Sequence, residues 1–405
     1  MDRRALFRAY MRHVDPKADP ALALKSGFYV RSPHATSAQV AARLEIDPAS
    51  THLVIGAVGS GKTTELLAVA QILATSTDII PLFVDVPSLE LVSKLAEGVL
   101  VGLAWTQIWN DTKENHPTLA QKFKEDGDAA TSAALGFYTE NPYEADWDEP
   151  KDRFFHAPGL ISTPEENSNI STVQQALVRL LEESGLRYVL LFDGLDRTRK
   201  TDALVAMLLN DLFLLSKIGV GSVVVGPPEL RGEVYRQFAE RFATFHFHGA
   251  ADVTTEAGIA FLDSVLRLRA LEEVLPGNER LQISHWSGGV LRDLIALARN
   301  AGEVAYSYGA DQITTEHVNA AADRFGRALL LGLSREAIKR LVELSNPGPQ
   351  SSMEKPFIEF TVGGDVDIDL LVRRLVIEFP DLPPRFALHP TIRLLLRGLG
   401  QPGSR

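Results

Sequence analysis

Residues Thr51 to Leu73, THLVIGAVGSGKTTELLAVAQIL, constrain this chain more than any other stretch. Leu53-Val54-Ile55 is a short apolar run with the length and composition of a buried strand. Gly56-Ala57-Val58-Gly59-Ser60-Gly61-Lys62-Thr63 then matches G-x-x-x-x-G-K-[ST] in full, with Thr64 directly after it. Leu66, Val69, Ala70 and Leu73 follow at helical spacing and share one face. Glycines here let the backbone turn tightly and bring its N–H groups close to an anion. The helix N-terminus adds a partial positive charge at the same place. Lys62 can reach the β- and γ-phosphates, and the Thr63 hydroxyl can ligate Mg²⁺. Strand, loop and helix in that order form a nucleotide phosphate site.

Further strands are expected to build a parallel sheet around this loop. Ile79 to Val86 (IIPLFVDV) reads as the second strand. Tyr188-Val189-Leu190-Leu191-Phe192-Asp193 reads as a buried strand ending in a carboxylate. An Asp leaving the C-terminal end of a parallel strand is placed to hold a Mg²⁺ shell. Ser222 to Val225 and Thr244 to His248 are two more strands, with helices expected at Ser171–Ser184, Ala203–Ser216 and Glu229–Glu240. Continuous apolar strands alternating with helices indicate a parallel sheet covered on both faces. The stretch 111–170 is too long for an ordinary connection and reads as an insertion. Its acidic aromatic centre, Glu140 to Pro150, is either a partner contact or a solvated excursion. His246 and His248 alternate on one strand and share a face; with no third ligand in view they are read as ordinary strand residues.

From Thr254 the pattern is helical, with apolar stripes at Ile259, Leu262, Val265, Leu266 and at Val290, Leu291, Leu294, Ile295, Ala298. A third helix, Thr315 to Phe325, has Thr314 as its N-cap. Helices at Ser334–Leu344 and Ile368–Arg374 precede two short strands, Leu375–Phe379 and Arg385–His389, around Pro380 to Pro384. That order suggests a winged-helix module. The expected divisions are a lead-in at 1–50, a P-loop core at 51–250, a helical lid at 251–331 and a winged-helix-like domain at 332–405. In the lead-in, Phe28-Tyr29-Val30 and Arg31-Ser32-Pro33-His34 either lie over the adenine side of the loop or form a packing arm.

With 405 residues, 45% of them hydrophobic, the chain can bury two or three cores. No apolar run approaches the ~20 residues needed to span a bilayer, and the charged N-terminus lacks a signal-peptide core. Zero cysteines exclude disulfides, thiolate metal sites and cysteine nucleophiles. A cytoplasmic location with no membrane partner is the expectation. The net charge of −11 does not indicate nucleic-acid binding, although a local basic face is possible.

Taken together, these motifs resemble a P-loop ATPase of the AAA+ class, near the STAND and origin-initiator ATPases. More narrowly, they resemble bacterial ATPases found beside conflict or anti-phage effectors. Gly56 to Thr63 matches Walker A, with Gly56, Gly59, Ser60, Gly61, Lys62, Thr63 and Thr64 as nucleotide contacts. Tyr188 to Asp193 with Gly194-Leu195-Asp196 matches a Walker B of hhhhDGLD type. Glu240-Arg241-Phe242 resembles the box that carries an arginine finger, for which Arg236 is the substitute. Trp286-Ser287-Gly288-Gly289-Val290-Leu291-Arg292-Asp293 resembles the sensor 2 motif. The resemblance implies ATP and Mg²⁺ as cofactors, Thr63 and Asp193 at the metal, and Asp196, Arg241 and Arg292 in hydrolysis.

Two positions depart from the pattern. Gly194 stands where most AAA+ ATPases carry the Glu that polarises water, leaving Asp196 as the nearest carboxylate. Val225-Gly226-Pro227-Pro228 offers no Asn or Thr at the sensor 1 position. Both imply slow hydrolysis and a switch-like use of ATP. The expected partners are a separately encoded effector and further copies of the chain. A DNA-binding, initiator-like or transposition-associated ATPase is the alternative.

Overall fold

The computed structural model describes residues 2–86, 96–137, 164–197, 201–231, 238, 240–346, 357–380 and 383–399. From the N-terminus the chain forms helices α1 (Arg3–His13), α2 (Pro20–Lys25) and α3 (Ser37–Ile46), strand β1 (Thr51–Ile55), helix α4 (Lys62–Leu73) and strand β2 (Ile79–Asp85). Helices α5 (Val99–Asn115), α6 (Pro117–Lys122), α7 (Lys124–Leu135) and α8 (Pro164–Ser184) lead to β3 (Arg187–Asp193). Then come α9 (Thr201–Lys217), β4 (Gly221–Gly226) and β5 (Thr244–Phe247). Four helices follow: α10 (Glu256–Arg269), α11 (Gly277–Trp286), α12 (Leu291–Ser307) and α13 (Thr315–Leu329). The chain closes with α14 (Arg335–Ser345), β6 (Phe357–Ile358), α15 (Asp365–Val372), β7 (Val376–Phe379), β8 (Arg385–Leu388) and α16 (Pro390–Leu399). These elements group into two compact units, Ser37–Val54 with Val69–His246, and Met1–Thr36 with Ile55–Ala68 and Phe247–Arg405.

The sheet runs β2-β3-β4-β1-β5. β3 pairs in parallel with β2 from Ile79↔Arg187 to Asp85↔Asp193, and with β4 from Val189↔Gly221 to Phe192↔Val224. Tyr188 to Asp193 are all buried, as expected for a central strand covered on both faces. Gly221 has a specific reason to be glycine, because a Cβ there would lie 2.1 Å from the Pro48 carbonyl oxygen. The expected insertion is helical where it is described. Trp105 and Trp109 of α5 stack at 5.3 Å, and Gly127 of α7 admits Trp109 so closely that a Cβ would sit 2.2 Å from its ring. The fully buried Asp211 of α9 accepts from the Gly98 and Leu100 N–H groups at 2.7 and 2.8 Å, capping the N-terminus of α5. The acidic centre Glu140 to Pro150 lies outside the described residues. The expected helix Glu229–Glu240 is seen only as a 3-10 turn, Pro228–Arg231, and most of its remainder, Arg236 included, lies outside them.

In the second unit α1 docks on helices α10, α12 and α13. Phe7, Tyr10 and Val14 join Leu262, Leu266, Leu294, Leu297, Ala301 and Val318 in one buried cluster. Tyr10 donates to the Ala298 carbonyl at 2.7 Å, and Gly302 leaves room for its ring. Truncating a fully buried leucine of this cluster, Leu294 for example, costs about 2–5 kcal/mol. The C-terminal sheet is antiparallel, in the order β6-β8-β7, with Val376↔Leu388 to Phe379↔Arg385 as the hairpin register. β6 and α16 were not legible in the pattern. The helix expected at Ile368–Arg374 is instead Asp365–Val372, ended by two reverse bonds, Arg374 N–H to Leu371 O and Leu375 N–H to Leu370 O. That is a Schellman motif, and its left-handed position is Arg374, with φ 62°.

Candidate nucleotide-binding site

β1 delivers the chain into the loop at Gly56, and α4 begins at Lys62. Gly59 and Gly61 have φ of 85° and 110°, the region that L side chains avoid. Close approach adds a second constraint. A Cβ on Gly56 would lie 2.1 Å from the His248 carbonyl oxygen, one on Gly59 2.7 Å from Arg292 Cβ, and one on Gly61 2.9 Å from Leu291 Cδ1. Lys62 is only 4% exposed, and its ammonium donates to the Gly56 and Ala57 carbonyls at 2.8 and 3.0 Å. The cation is thereby held against the loop it follows. Glu65, in the first turn of α4 where a negative charge suits the helix dipole, accepts from the Tyr29 hydroxyl at 3.0 Å. Tyr29 of the N-terminal segment therefore reaches α4, while α1 upstream packs on α10, α12 and α13. Ser60 Oγ is buried and has no hydrogen-bond partner among the described residues.

The first turn of α12 meets this loop. The Arg292 N–H, one of the donors a helix N-terminus leaves without an intrahelical acceptor, donates to the Gly59 carbonyl at 3.1 Å. The motif that resembles sensor 2 is thus brought to the loop by its backbone, with the Arg292 side chain exposed. Gly288 and Gly289 take φ of 59° and 87° in the turn before α12. A Cβ on Gly289 would lie 1.8 Å from the Ala251 carbonyl oxygen, and one on Gly288 2.3 Å from Ile377 Cδ1. The next residue, Asp293, is 1% exposed and accepts from Arg374 Nε at 2.8 Å, while His389 Nε2 stands 3.5 Å away. Burial alone would raise its carboxyl, but the approach of His389 and the Arg374 guanidinium hold it below the usual carboxylate range. One helical turn therefore ties to the phosphate loop through Arg292 and to the C-terminal sheet domain through Asp293.

In the other unit, Asp193 is 6% exposed at the end of β3. Gly194 follows with φ 84°, and Asp196 lies in a 3-10 turn, Leu195–Arg197. Glu229, which begins just past β4, escaped the sequence reading. Burial, and then the charge of Asp196, raise its carboxyl, and its Oε2 is buried with no partner among the described residues. The available signal was a glutamate three residues beyond a strand where a sensor 1 side chain was sought. Arg241 is exposed in the turn before β5 and makes no side-chain hydrogen bond or ion pair with the described residues. His248, read from the sequence as an ordinary strand residue, has its ring against the loop. No group of three or more potential metal ligands of the His, Cys, Asp or Glu type occurs among the described residues. No helix among them is long and apolar enough to cross a membrane.

No protein family's sequence profile matches the chain, and no curated protein is similar to it. Similar folds occur among solved structures. Drosophila ORC bound to DNA is 15% identical, covering 96% of this chain and 91% of its own, with a TM-score of 0.44. Cdc6p from Pyrobaculum aerophilum is 13% identical over 92% and 97%, with a TM-score of 0.42. The Thermotoga maritima RuvB Holliday junction branch migration motor is 15% identical over 91% and 98%, with a TM-score of 0.41.

Proposed function

We propose that this chain is an ATP-binding, slowly hydrolysing AAA+/STAND-like regulatory ATPase. The observation that carries the reading is the loop Gly56–Thr63, with Lys62 folded against it and the first turn of α12 bonded to Gly59. Lys62 and the loop N–H groups would bind the phosphates. Thr63 and Asp193, a hydroxyl and a carboxylate, are hard oxygen donors of the kind Mg²⁺ takes. Bound ATP with Mg²⁺ would supply a γ-phosphoryl group for transfer to water. Asp196 would orient that water, and Arg292 would supply charge where the transferring group becomes more negative. Gly194, in place of a carboxylate directly after Asp193, supports slow turnover.

The finer part of the reading rests on the sequence resemblance: a switch or assembly with a separately encoded effector, in prokaryotic anti-phage defence. The DNA-binding alternative is less favoured. Only α15 lies between β6 and β7, where a helix-turn-helix needs a helix pair.

Isothermal titration of ATP with Mg²⁺ into the wild type and Lys62→Ala tests the core of the proposal. Binding by the wild type and its loss in a folded Lys62→Ala are expected. Equal affinity in the two would remove the assignment.

A further inference from the structure

His248 follows β5 directly and is 2% exposed. Its backbone N–H donates to Ile55 O at 2.7 Å, at the end of β1. Its carbonyl covers the face of Gly56, and its ring reaches the far side of the loop, where Nε2 stands 3.1 Å from the Ser60 carbonyl and 3.4 Å from the place of a Gly61 Cβ. The groups that face the ring are Glu65 and Lys62 of α4 and His34 of the lead-in. Burial, the largest influence, favours the neutral ring, which carries one proton. Because the Ser60 carbonyl can only accept, that proton sits on Nε2.

Nδ1 is then an acceptor, buried and without a partner among the described residues. An unsatisfied buried polar atom costs about 1–3 kcal/mol, a cost that an apolar side chain of similar size would avoid. The ring therefore carries a stability cost at this position, and the one hydrogen bond it makes among the described residues is with the loop.

We propose that His248 is a positioning residue for the phosphate loop: its Nε2–H fixes the Ser60–Gly61 peptide unit so that the Gly61 N–H is presented to a bound phosphate. The physical step is the planarity of the peptide. In a trans unit the carbonyl of one residue and the N–H of the next point in opposite directions, so anchoring Ser60 O toward His248 aims Gly61 N–H the other way. Gly61, at φ 110°, has the conformational freedom to swing if that anchor is lost. Among the loop carbonyls, Gly56 and Ala57 are held by Lys62, Gly59 by Arg292, and Ser60 by His248. Three chain segments thus immobilise the cradle. This inference rests on the nucleotide reading for its consequence, though not for its geometry.

The test compares His248→Leu and His248→Phe, which remove the donor, with His248→Gln, whose amide can restore a donor near the Nε2 position. Amide hydrogen exchange of a peptide covering residues 56–62, measured without nucleotide, should speed up severalfold in the apolar variants and return toward wild type in His248→Gln. Affinities for a fluorescent ATP analogue and for inorganic pyrophosphate should both weaken about tenfold in the apolar variants, the factor expected for one lost bond, and recover largely in His248→Gln. Wild-type exchange in either folded apolar variant, or a His248→Gln as weak as His248→Leu, would overturn the positioning role. If the wild type binds neither ligand, the nucleotide reading falls, and the exchange measurement still decides whether His248 holds the loop.

Discussion

The Arg374 guanidinium donates to the buried carboxylate of Asp293 at 2.8 Å from a left-handed backbone position that is usually glycine. Among the described residues no other non-glycine residue has positive φ. Holding a side chain there costs about 1–3 kcal/mol, so the ion pair has to offset backbone strain as well as desolvation. Arg374→Gly should relieve the strain and still destabilise, because a buried carboxylate losing its partner costs about 3–5 kcal/mol. Pairing it with Asp293→Asn should recover much of the loss. Urea unfolding of the two single variants and the double variant checks this, and additive losses would mean that the two residues do not couple.

The same pair sets an acid dependence. The Asp293 carboxyl is depressed in the folded chain, so its stabilisation is present above the unfolded value of about 4 and disappears as pH falls through the lower folded value. Wild-type stability should therefore drop more steeply below pH 4 than that of Asp293→Asn, as followed by thermal melts across that range.

Asp211 predicts the opposite slope. Burial raises its carboxyl from 3.8 to about 7, so between those values the folded chain holds a proton that the unfolded chain releases. Stability then falls as pH rises through that window. Asp211→Asn keeps an acceptor for the start of α5 and should flatten the change in melting temperature between pH 5 and 8. An equally steep wild type and variant would show that Asp211 is ionised throughout, its charge held by the Gly98 and Leu100 N–H groups.

For hydrolysis, Asp196→Asn should lower phosphate release without weakening ATP binding. Glu229 should respond as well, since removing the Asp196 charge lets its raised carboxyl fall back toward the ordinary range. A carboxyl titration followed by NMR should accordingly place the Glu229 midpoint at lower pH in Asp196→Asn than in the wild type. Wild-type rates in that variant would make Asp196 a turn residue.

Arg241, exposed before β5, is the residue through which assembly can be tested. Under the arginine-finger reading, Arg241→Ala should slow hydrolysis and leave the ATP affinity of the single chain unchanged. Light scattering in ATP and in ADP should show nucleotide-dependent association of the wild type. Constant mass in both, with wild-type hydrolysis in Arg241→Ala, would remove a trans-acting role.

Local pattern was enough to locate the five strands, the Gly56–Thr63 loop, the lid stripes and the carboxylate at Asp193, because strand burial, helical period and glycine requirements are written in neighbouring residues. It singled out Arg292 by its motif, and the structure joins that residue's backbone N–H to the Gly59 carbonyl. What pattern could not reach were pairings between residues far apart in the chain. His248 read as an ordinary strand residue because its partner, the Ser60 carbonyl, is a backbone atom, and no side-chain signal marks the position that receives it. Arg374 read as the last residue of a helix because a non-glycine residue gives no local sign of a left-handed position, and its partner Asp293 is a buried carboxylate 81 positions away. β6, with two residues, carries too little periodicity to be seen until β8 pairs with it. Residue types and their spacing decide which elements form and which loop can cradle an anion. Tertiary structure decides which carbonyls are anchored and which buried charges meet, since those depend on the path by which distant segments return to the same place.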